Sequence, residues 1–234
     1  MINQEIIERI IEAAQLQPGE EIIEVGPGKG ILTKALLEAG CKVTAIEKDH
    51  DLIPLLKASF LDQKNFTLIH ADALTIAPPT VPYKIVANIP YSITSPLLDH
   101  FIREQPENLP LKAVLLVQKE VAEKICSQPP HMNVLALHVQ PFGVPKYLFK
   151  VGPENFRPSP KVDSAVIEIT FAPLTEKLPT NFFEMIHKGF SQKRKMLRNT
   201  IDPTHLEKAA IDPTRRPETL TIDEWKLLAR TATV

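Results

Sequence analysis

Glu21-Ile22-Ile23-Glu24-Val25-Gly26-Pro27-Gly28-Lys29-Gly30 is the stretch whose reading decides the fold. A short apolar run after Pro18-Gly19 that flows into closely spaced glycines reads as a buried strand ending in a tight turn. Leu32, Leu36 and Leu37 then recur at helical spacing up to Gly40, which gives strand, glycine turn and helix in succession. Upstream, Ile2, Ile6, Ile7, Ile10, Ile11 and Ala14 mark an amphipathic opening helix. Downstream the alternation continues: strands at 41–46, 67–69 and 83–87, with a helix at 52–60. A helix starts at Ser95-Pro96, with serine as N-cap and proline at the first helical position. Residues 111–117 suit a buried parallel strand and 119–125 a helix. Two more strands are expected near 135–140 and 164–171, as an antiparallel hairpin across a Pro-rich stretch. Strands and helices alternating in this way specify a doubly wound α/β sheet. Past Pro173 the pattern becomes helical, at 182–190, 192–199, 203–210 and 222–229. The expected domains are therefore residues 1–173 and a small all-helical C-terminal domain, 174–234.

The 234 residues and 44% hydrophobic content are enough to fill a sizeable core. With 27 basic and 28 acidic residues, bulk charge does not hold the chain to nucleic acid or membrane. Two cysteines, Cys41 and Cys126, form neither a disulfide framework nor a zinc site by themselves, so no metal is expected and reduced thiols suit a cytoplasmic setting. No apolar stretch approaches the roughly 20 residues that span a bilayer, and the first residues lack a signal-peptide pattern. Nothing in the sequence marks an oligomeric interface, so a monomer is expected.

The glycine turn brings bare backbone to a ligand at the C-terminal edge of the sheet. Its spacing is G-x-G-x-G, which fits neither the dinucleotide fingerprint nor a P-loop. Glu47 ends the second strand, where a carboxylate can accept from both ribose hydroxyls of a nucleoside. Asp72 ends the third and can accept from an adenine amino group. A solvated loop carboxylate is the plainer reading of either acid alone. Glycine turn, acid and acid on three successive strand ends fit a nucleoside without a pyrophosphate clamp, which favours S-adenosylmethionine over NAD.

The fourth strand ends in Asn88-Ile89-Pro90-Tyr91. Proline stiffens this turn, which carries an amide and an aromatic ring over the same crevice. Such a loop suits methylation of an exocyclic amine, whose lone pair is conjugated into a purine ring. The Asn88 side-chain oxygen and the Ile89 carbonyl can hold its two N–H groups, and Tyr91 can stack on a base swung out of its helix. Asn88 is neutral, so it positions the amine and takes no proton.

With Glu24-Val25-Gly26-Pro27-Gly28, Glu47, Asp72 and Asn88-Ile89-Pro90-Tyr91 in order, the chain also carries Asn155-Phe156-Arg157-Pro158-Ser159-Pro160-Lys161-Val162-Asp163-Ser164 and Lys193-Arg194-Lys195-Met196-Leu197-Arg198-Asn199. Together these resemble the KsgA/Dim family of ribosomal RNA small-subunit adenine N6-dimethyltransferases, over nearly the whole chain. The resemblance implies a Rossmann-like, seven-stranded class I methyltransferase sheet with a helical C-terminal domain. It implies S-adenosyl-L-methionine as cofactor, held by Glu24, Gly26, Gly28, Glu47, Lys48, Asp72, Ala73 and Asn88. It implies Asn88, Tyr91 and Phe156 as the groups around the target adenine, with Phe156 closing on the face opposite Tyr91. Dimethylation of two adjacent adenines in a small-subunit ribosomal RNA hairpin loop, with a role in ribosome assembly, is the implied activity. In that family a Gly-Gln-Asn-Phe-Leu segment usually precedes the first helix and covers the methionine end of the cofactor; the sequence begins at Met1-Ile2-Asn3, where that segment would have just ended.

Between Lys188 and Asn199 lie five basic residues and no acid, and Lys146, Lys150, Arg157 and Lys161 flank the Phe156 loop, with Arg215-Arg216 further on. Lys193, Arg194, Lys195, Arg198, Arg157 and Lys161 are the candidate phosphate contacts for ribosomal RNA in the small subunit. A solvated helix face is the bland account of the same charges. Two other functions fit the same motifs: a large-subunit rRNA adenine N6-methyltransferase of the macrolide-resistance type, and a non-catalytic RNA-binding assembly or transcription factor on the same frame. An NAD-dependent dehydrogenase is disfavoured by the glycine spacing.

Overall fold

Asn3 opens the regular structure: its side chain accepts from the Glu5 N–H at 2.9 Å and caps α1 (Gln4–Ala14). The computed structural model describes residues 3–173, 176–192 and 194–232. After α1 come β1 (Glu21–Val25), α2 (Ile31–Glu38), β2 (Lys42–Glu47), α3 (Ile53–Ser59), β3 (Phe66–His70), β4 (Tyr83–Asn88), α4 (Thr94–Leu98), β5 (Lys112–Gln118) and α5 (Lys119–Ile125). Then follow α6 (Val134–Val139), β6 (Gly143–Val151), β7 (Ser164–Phe171), α7 (Phe182–Phe190), α8 (Pro203–Lys208) and α9 (Ile222–Thr231). The strands form one seven-stranded sheet in the order β3-β2-β1-β4-β5-β7-β6. β1 to β5 are parallel, and β7 runs antiparallel to both β5 and β6. The expected α/β class and seven-stranded sheet are thus present.

The strand order reverses between β1 and β4: β1 leads outward to β2 and β3, whereas β4 leads to β5. A crevice opens at the carboxyl ends of strands flanking such a reversal. Apolar periodicity explains the layer on one side, where Ile6, Ile7 and Ile10 of α1 and Leu32 and Leu36 of α2 share a buried cluster with Val43, Val86, Val114 and Val166 of the sheet.

Two lysines on neighbouring strands hold the far end of α1. Lys84 on β4, 8% exposed, donates through Nζ to the carbonyls of Ala14 (3.2 Å) and Gln15 (2.9 Å) and to the Glu20 carboxylate (2.8 Å). Lys112, its register partner on β5, donates to the Ala13 carbonyl (3.3 Å), the Gln15 side chain (2.7 Å) and Glu168 (2.9 Å). The terminal carbonyls of α1 lack intrahelical partners and carry the negative end of its dipole, so ammonium groups satisfy both needs at once.

The chain divides into two compact units, Met1–Ala122 with Gly143–Ala172, and Glu123–Phe142 with Pro173–Val234. The second unit thus combines residues 123–142 with the C-terminal helices. The reason is apolar packing: Met132, Ala136 and Leu137 are buried with Phe182, Ile186, Leu206, Trp225 and Leu228 in the core of that unit.

Three local expectations are corrected. Residues 135–140 are not a strand but the helix α6, capped by Asn133, whose side chain accepts from the Ala136 N–H at 3.0 Å; so short an apolar run carries no decisive period. The strand is instead β6, and its Pro145 is tolerated because β6 is an edge, paired with β7 alone. Of residues 192–199 the described ones form turns, with one 3-10 turn at Leu197–Asn199, rather than a helix, because the Leu197 and Arg198 N–H groups donate to the carbonyls of Arg215 and Pro213. Finally, α4 starts at Thr94, directly after the 3-10 turn Tyr91–Ile93, with Ile93 in the cap position that Ser95 was expected to fill. Pro96 still lies in the first turn, where its missing N–H costs nothing.

Lys84→Met should leave the carbonyls of Ala14 and Gln15 and the Glu20 carboxylate without their shared donor. A loss on the order of 3 kcal/mol is expected, read as a lower urea midpoint at unchanged m-value.

Candidate active site

Backbone hydrogen bonds carry the sheet register one residue beyond each strand tip. The Gly26 N–H donates to the Ile46 carbonyl (2.9 Å), the Ala71 N–H to the Glu47 carbonyl (3.0 Å) and the Ile89 N–H to the Leu116 carbonyl (3.1 Å). The functional loops therefore leave the sheet from fixed starting points. Gly26 has φ +66° and Gly28 φ +60°, a left-handed backbone that glycine adopts without strain. A Cβ added at Gly26 would stand 3.2 Å from the Pro90 ring, so the glycine turn and the Asn88-Ile89-Pro90-Tyr91 loop meet directly.

A cavity of about 380 Å³ lies there, lined by Gly26, Gly28 and Glu47 on one side and by Asn88, Ile89, Pro90, Tyr91 and Phe156 on the other. Volumes of about 300–1,000 Å³ are usual for small-molecule sites. A second cavity of about 340 Å³ shares Gly26, Gly28, Leu52 and Asn88 with the first and adds Glu24, Lys29 and Arg157.

Glu47 is 7% exposed, and each of its oxygens holds one backbone donor: Gly28 N–H to Oε2 at 3.2 Å and Asp49 N–H to Oε1 at 2.9 Å. Each carboxylate oxygen has a second lone pair, which leaves two acceptors for a pair of hydroxyls. The Asn88 carboxamide is half-buried and makes no hydrogen bond among the described residues. It lines both cavities.

Tyr91 is half-buried, and its hydroxyl shares a hydrogen bond with Oγ of the fully buried Ser164. The Asn-Ile-Pro-Tyr and Val-Asp-Ser motifs, separate in sequence, are thus joined through one bond that fixes the ring at the cavity wall. Phe156 lines the same cavity and is also 8% exposed within the apolar cluster of α1 and α2, so it serves the core as well as the wall.

Glu24 is 1% exposed and accepts from the Thr33 hydroxyl at 2.6 Å. Burial, reinforced by the nearby charge of Glu47 and only partly offset by Thr33, pushes its carboxyl up to about 8. At neutral pH Glu24 is therefore protonated while it lines the second cavity. Sequence reading pointed to Glu24 but not to this state, nor to Thr33, and it quoted Ser164 as part of a motif but not as the partner of Tyr91; no pattern in the sequence signals a partner nine or more residues away.

Lys48, Asp72 and Ala73 line neither cavity. The Asp72 carboxylate accepts from Lys48 Nζ (2.8 Å) and from the Leu74 N–H (3.0 Å), bonds that hold it below the usual aspartate range. The Lys48 side chain is 77% exposed, which makes this ion pair weak and easily exchanged.

The candidate phosphate contacts are spread over both units. Arg157 and Lys161 are exposed in the first, and Arg194, Lys195 and Arg198 in the second; Lys193 lies outside the described residues. Two other basic residues are engaged internally. Lys150 pairs with Asp163 at 2.8 Å, and Arg215 pairs with Glu224, the acid of the α9 capping box.

A family model for ribosomal RNA adenine dimethylases matches residues 1–230. The ribosomal RNA small subunit methyltransferase A of Dehalococcoides mccartyi is 38% identical, over 97% of this chain and 84% of its own length. The protein of the same name from Clostridium botulinum is 37% identical, over 98% of this chain and 90% of its own. Among solved structures, a dimethyladenosine transferase from Plasmodium falciparum superposes with TM-score 0.83 at 25% identity, covering 97% of this chain and 95% of that one. The 23S rRNA methyltransferase ErmE superposes with TM-score 0.78 at 27% identity, covering 98% and 97%.

The buried acid makes a testable contribution to stability. The unfolded chain releases the Glu24 proton near 4.5, whereas the folded protein keeps it to about 8, so wild-type stability is progressively lost as pH rises between those values. Glu24→Gln should therefore gain stability relative to wild type across that window and level off above it. A difference in urea midpoint that does not change with pH would contradict this.

Proposed function

Because this chain belongs to the ribosomal RNA adenine dimethylase family, we propose that it transfers methyl groups from S-adenosyl-L-methionine to N6 of adenines in small-subunit ribosomal RNA. One observation carries the reading. The glycine turn with Glu47 and the Asn88-Ile89-Pro90-Tyr91 loop line a single cavity, with Gly26 and Pro90 in near contact. Cofactor-holding and base-holding groups are thus neighbours, as transfer between two bound molecules requires. Small-subunit methyltransferases are the relatives of higher identity, which favours the small subunit over the large as target.

The residues present fit the cofactor. Glu47 has two acceptor positions for the ribose hydroxyls, and at Gly28 an added Cβ would meet nothing within 4 Å, so the backbone is bare to a ligand. Asp72 is an acceptor for the adenine amino group once Lys48 swings away. When bound, S-adenosylmethionine supplies an electrophilic methyl group on a positively charged sulfur.

The chain's own part is to prepare the nucleophile. The amino nitrogen of adenine is weak because its lone pair is delocalised into the ring. The Asn88 carboxamide oxygen and the Ile89 carbonyl accept from its two N–H groups, which concentrates electron density on nitrogen and fixes its direction. Tyr91, anchored through Ser164, offers one stacking face, and Phe156 the opposite one; such stacking contributes roughly 1–3 kcal/mol per base. Asn88 cannot take a proton, so the nitrogen loses its proton to solvent after the new N–C bond has made it cationic. Exposed Arg194, Lys195, Arg198 and Lys161 bind phosphates and hold the RNA in register.

Asn88→Ala should reduce methyl transfer to undermethylated small subunits by about 100-fold or more at unchanged thermal stability, measured with radiolabelled donor. Near-normal turnover would remove Asn88 from the mechanism. Glu47→Ala should weaken cofactor binding in calorimetry by roughly tenfold, the loss expected for a charged acceptor of hydroxyl donors.

A further inference from the structure

Residues 152–163 connect β6 to β7, and Phe156, Pro158 and Pro160 of this connection line the first cavity. A connection of about a dozen residues without regular structure depends on anchors to hold a fixed place. Its far end has them: Asp163 pairs with Lys150 at 2.8 Å, and its carbonyl accepts from the Lys119 N–H at 3.0 Å. At the end that carries Phe156 the bonds are mostly internal. The N–H groups of Asn155 and Phe156 donate to the carbonyls of Gly152 and Pro153 at 3.2 Å each, and the Ser159 hydroxyl donates to the Pro153 carbonyl at 2.9 Å. Among the described residues, one hydrogen bond ties 152–162 to another element: Asn3 Nδ2 donates to Asn155 Oδ1 at 2.6 Å.

Backbone partners specify this bond at both ends. Asn3 Oδ1 caps α1 by accepting from the Glu5 N–H at 2.9 Å, which leaves Nδ2 for Asn155. Asn155 Nδ2 donates to the Gly152 carbonyl and to Glu154, both at 3.0 Å, which leaves Oδ1 for Asn3. Turning either amide over would set oxygen against oxygen and N–H against N–H, and would break the existing bonds as well. Asn3 is itself a fixed post. Lys84 and Lys112 hold the other end of α1, and Ile6 and Ile7 of that helix share an apolar cluster with Phe156.

We propose that Asn3 is a positioning residue for the base site: through Asn155 it holds Phe156 at the cavity wall, where the ring meets the adenine. On the methyl-transfer reading above, on which this rests, helix cap and stacking wall are one device. The side chain that starts α1 also sets the ring opposite Tyr91, which has its own anchor in Ser164. An untied loop would lose part of the stacking free energy to ordering the ring when the base arrives.

Asn3→Asp separates the two roles, because aspartate caps a helix as well as asparagine does but has no N–H for Asn155. Steady-state methyl transfer to undermethylated small subunits, thermal unfolding and S-adenosylhomocysteine calorimetry are measured on the full chain. Relative to wild type, kcat/KM for the subunit should fall about fivefold, the low end of what a base–aromatic stack contributes, with KM carrying the change. The melting midpoint and the affinity for S-adenosylhomocysteine should stay as in wild type, while amide exchange at Asn155 and Phe156 should quicken. Asn155→Ala should give at least the same loss, and adding Asn3→Asp to it no more, since both remove one bond. Unchanged kcat/KM in Asn3→Asp overturns the proposal, as do losses that multiply in the double variant or an equal loss of S-adenosylhomocysteine affinity. A wild-type protein that transfers no methyl group would overturn the methyl-transfer reading itself and the role of Asn3 with it, a result distinct from the others.

Discussion

The near contact between Gly26 and the Pro90 ring is the constraint on which the site depends. Two loops leave neighbouring strands at the point where the strand order reverses, and each starts from a backbone hydrogen bond that extends the sheet register. Their separation is therefore set by strand spacing, not by loop flexibility. A Cβ at Gly26 would crowd the proline ring and sit on a left-handed backbone, so glycine suits the position, and the proline ring in turn stiffens the loop that carries Asn88 and Tyr91. The two loops that line the cavity are held at one distance by covalent geometry and sheet pairing, the kind of pre-organisation that transfer chemistry requires.

Electrostatics divide the same crevice into two parts. Glu24 and Glu47 are both carboxylic acids at or near strand ends, but their surroundings differ. Glu47 accepts two backbone N–H groups, whereas Glu24 has one hydroxyl donor in a buried setting and keeps its proton to about 8. Burial opposes charge more strongly than a single neutral donor supports it. Glu24 is thus an uncharged part of the wall of the second cavity at neutral pH.

The layer behind the site is fixed by an unusual use of lysine. Lys84 and Lys112 are strand residues, yet their ammonium groups serve the carboxyl end of α1. Both side chains are largely buried, and their charged ends find carbonyls and carboxylates. Through them α1 is locked to β4 and β5, and its Ile7 is held as part of the wall of the second cavity.

The amino-acid sequence by itself determined whatever rests on short stretches of chain. The strand–glycine turn–helix unit at 21–38, the parallel strands up to Gln118, and Glu47, Asp72 and Asn88 at successive strand tips were legible because period, turn chemistry and strand ends are local properties. Tertiary structure decided the rest. Residues 135–140 became a helix and 143–151 a strand, because so short a run with four apolar residues fits either state and only its neighbours distinguish them. The basic run at 192–199 lost its helix to hydrogen bonds with residues 213–215, and Arg215 was drawn from the surface charge to Glu224. The proton on Glu24, the Tyr91–Ser164 bond and the place of Arg157 beside the second cavity depend on burial and on groups far apart in the chain. Desolvation and long-range contacts exist only after the chain has folded, so no local pattern could have declared them.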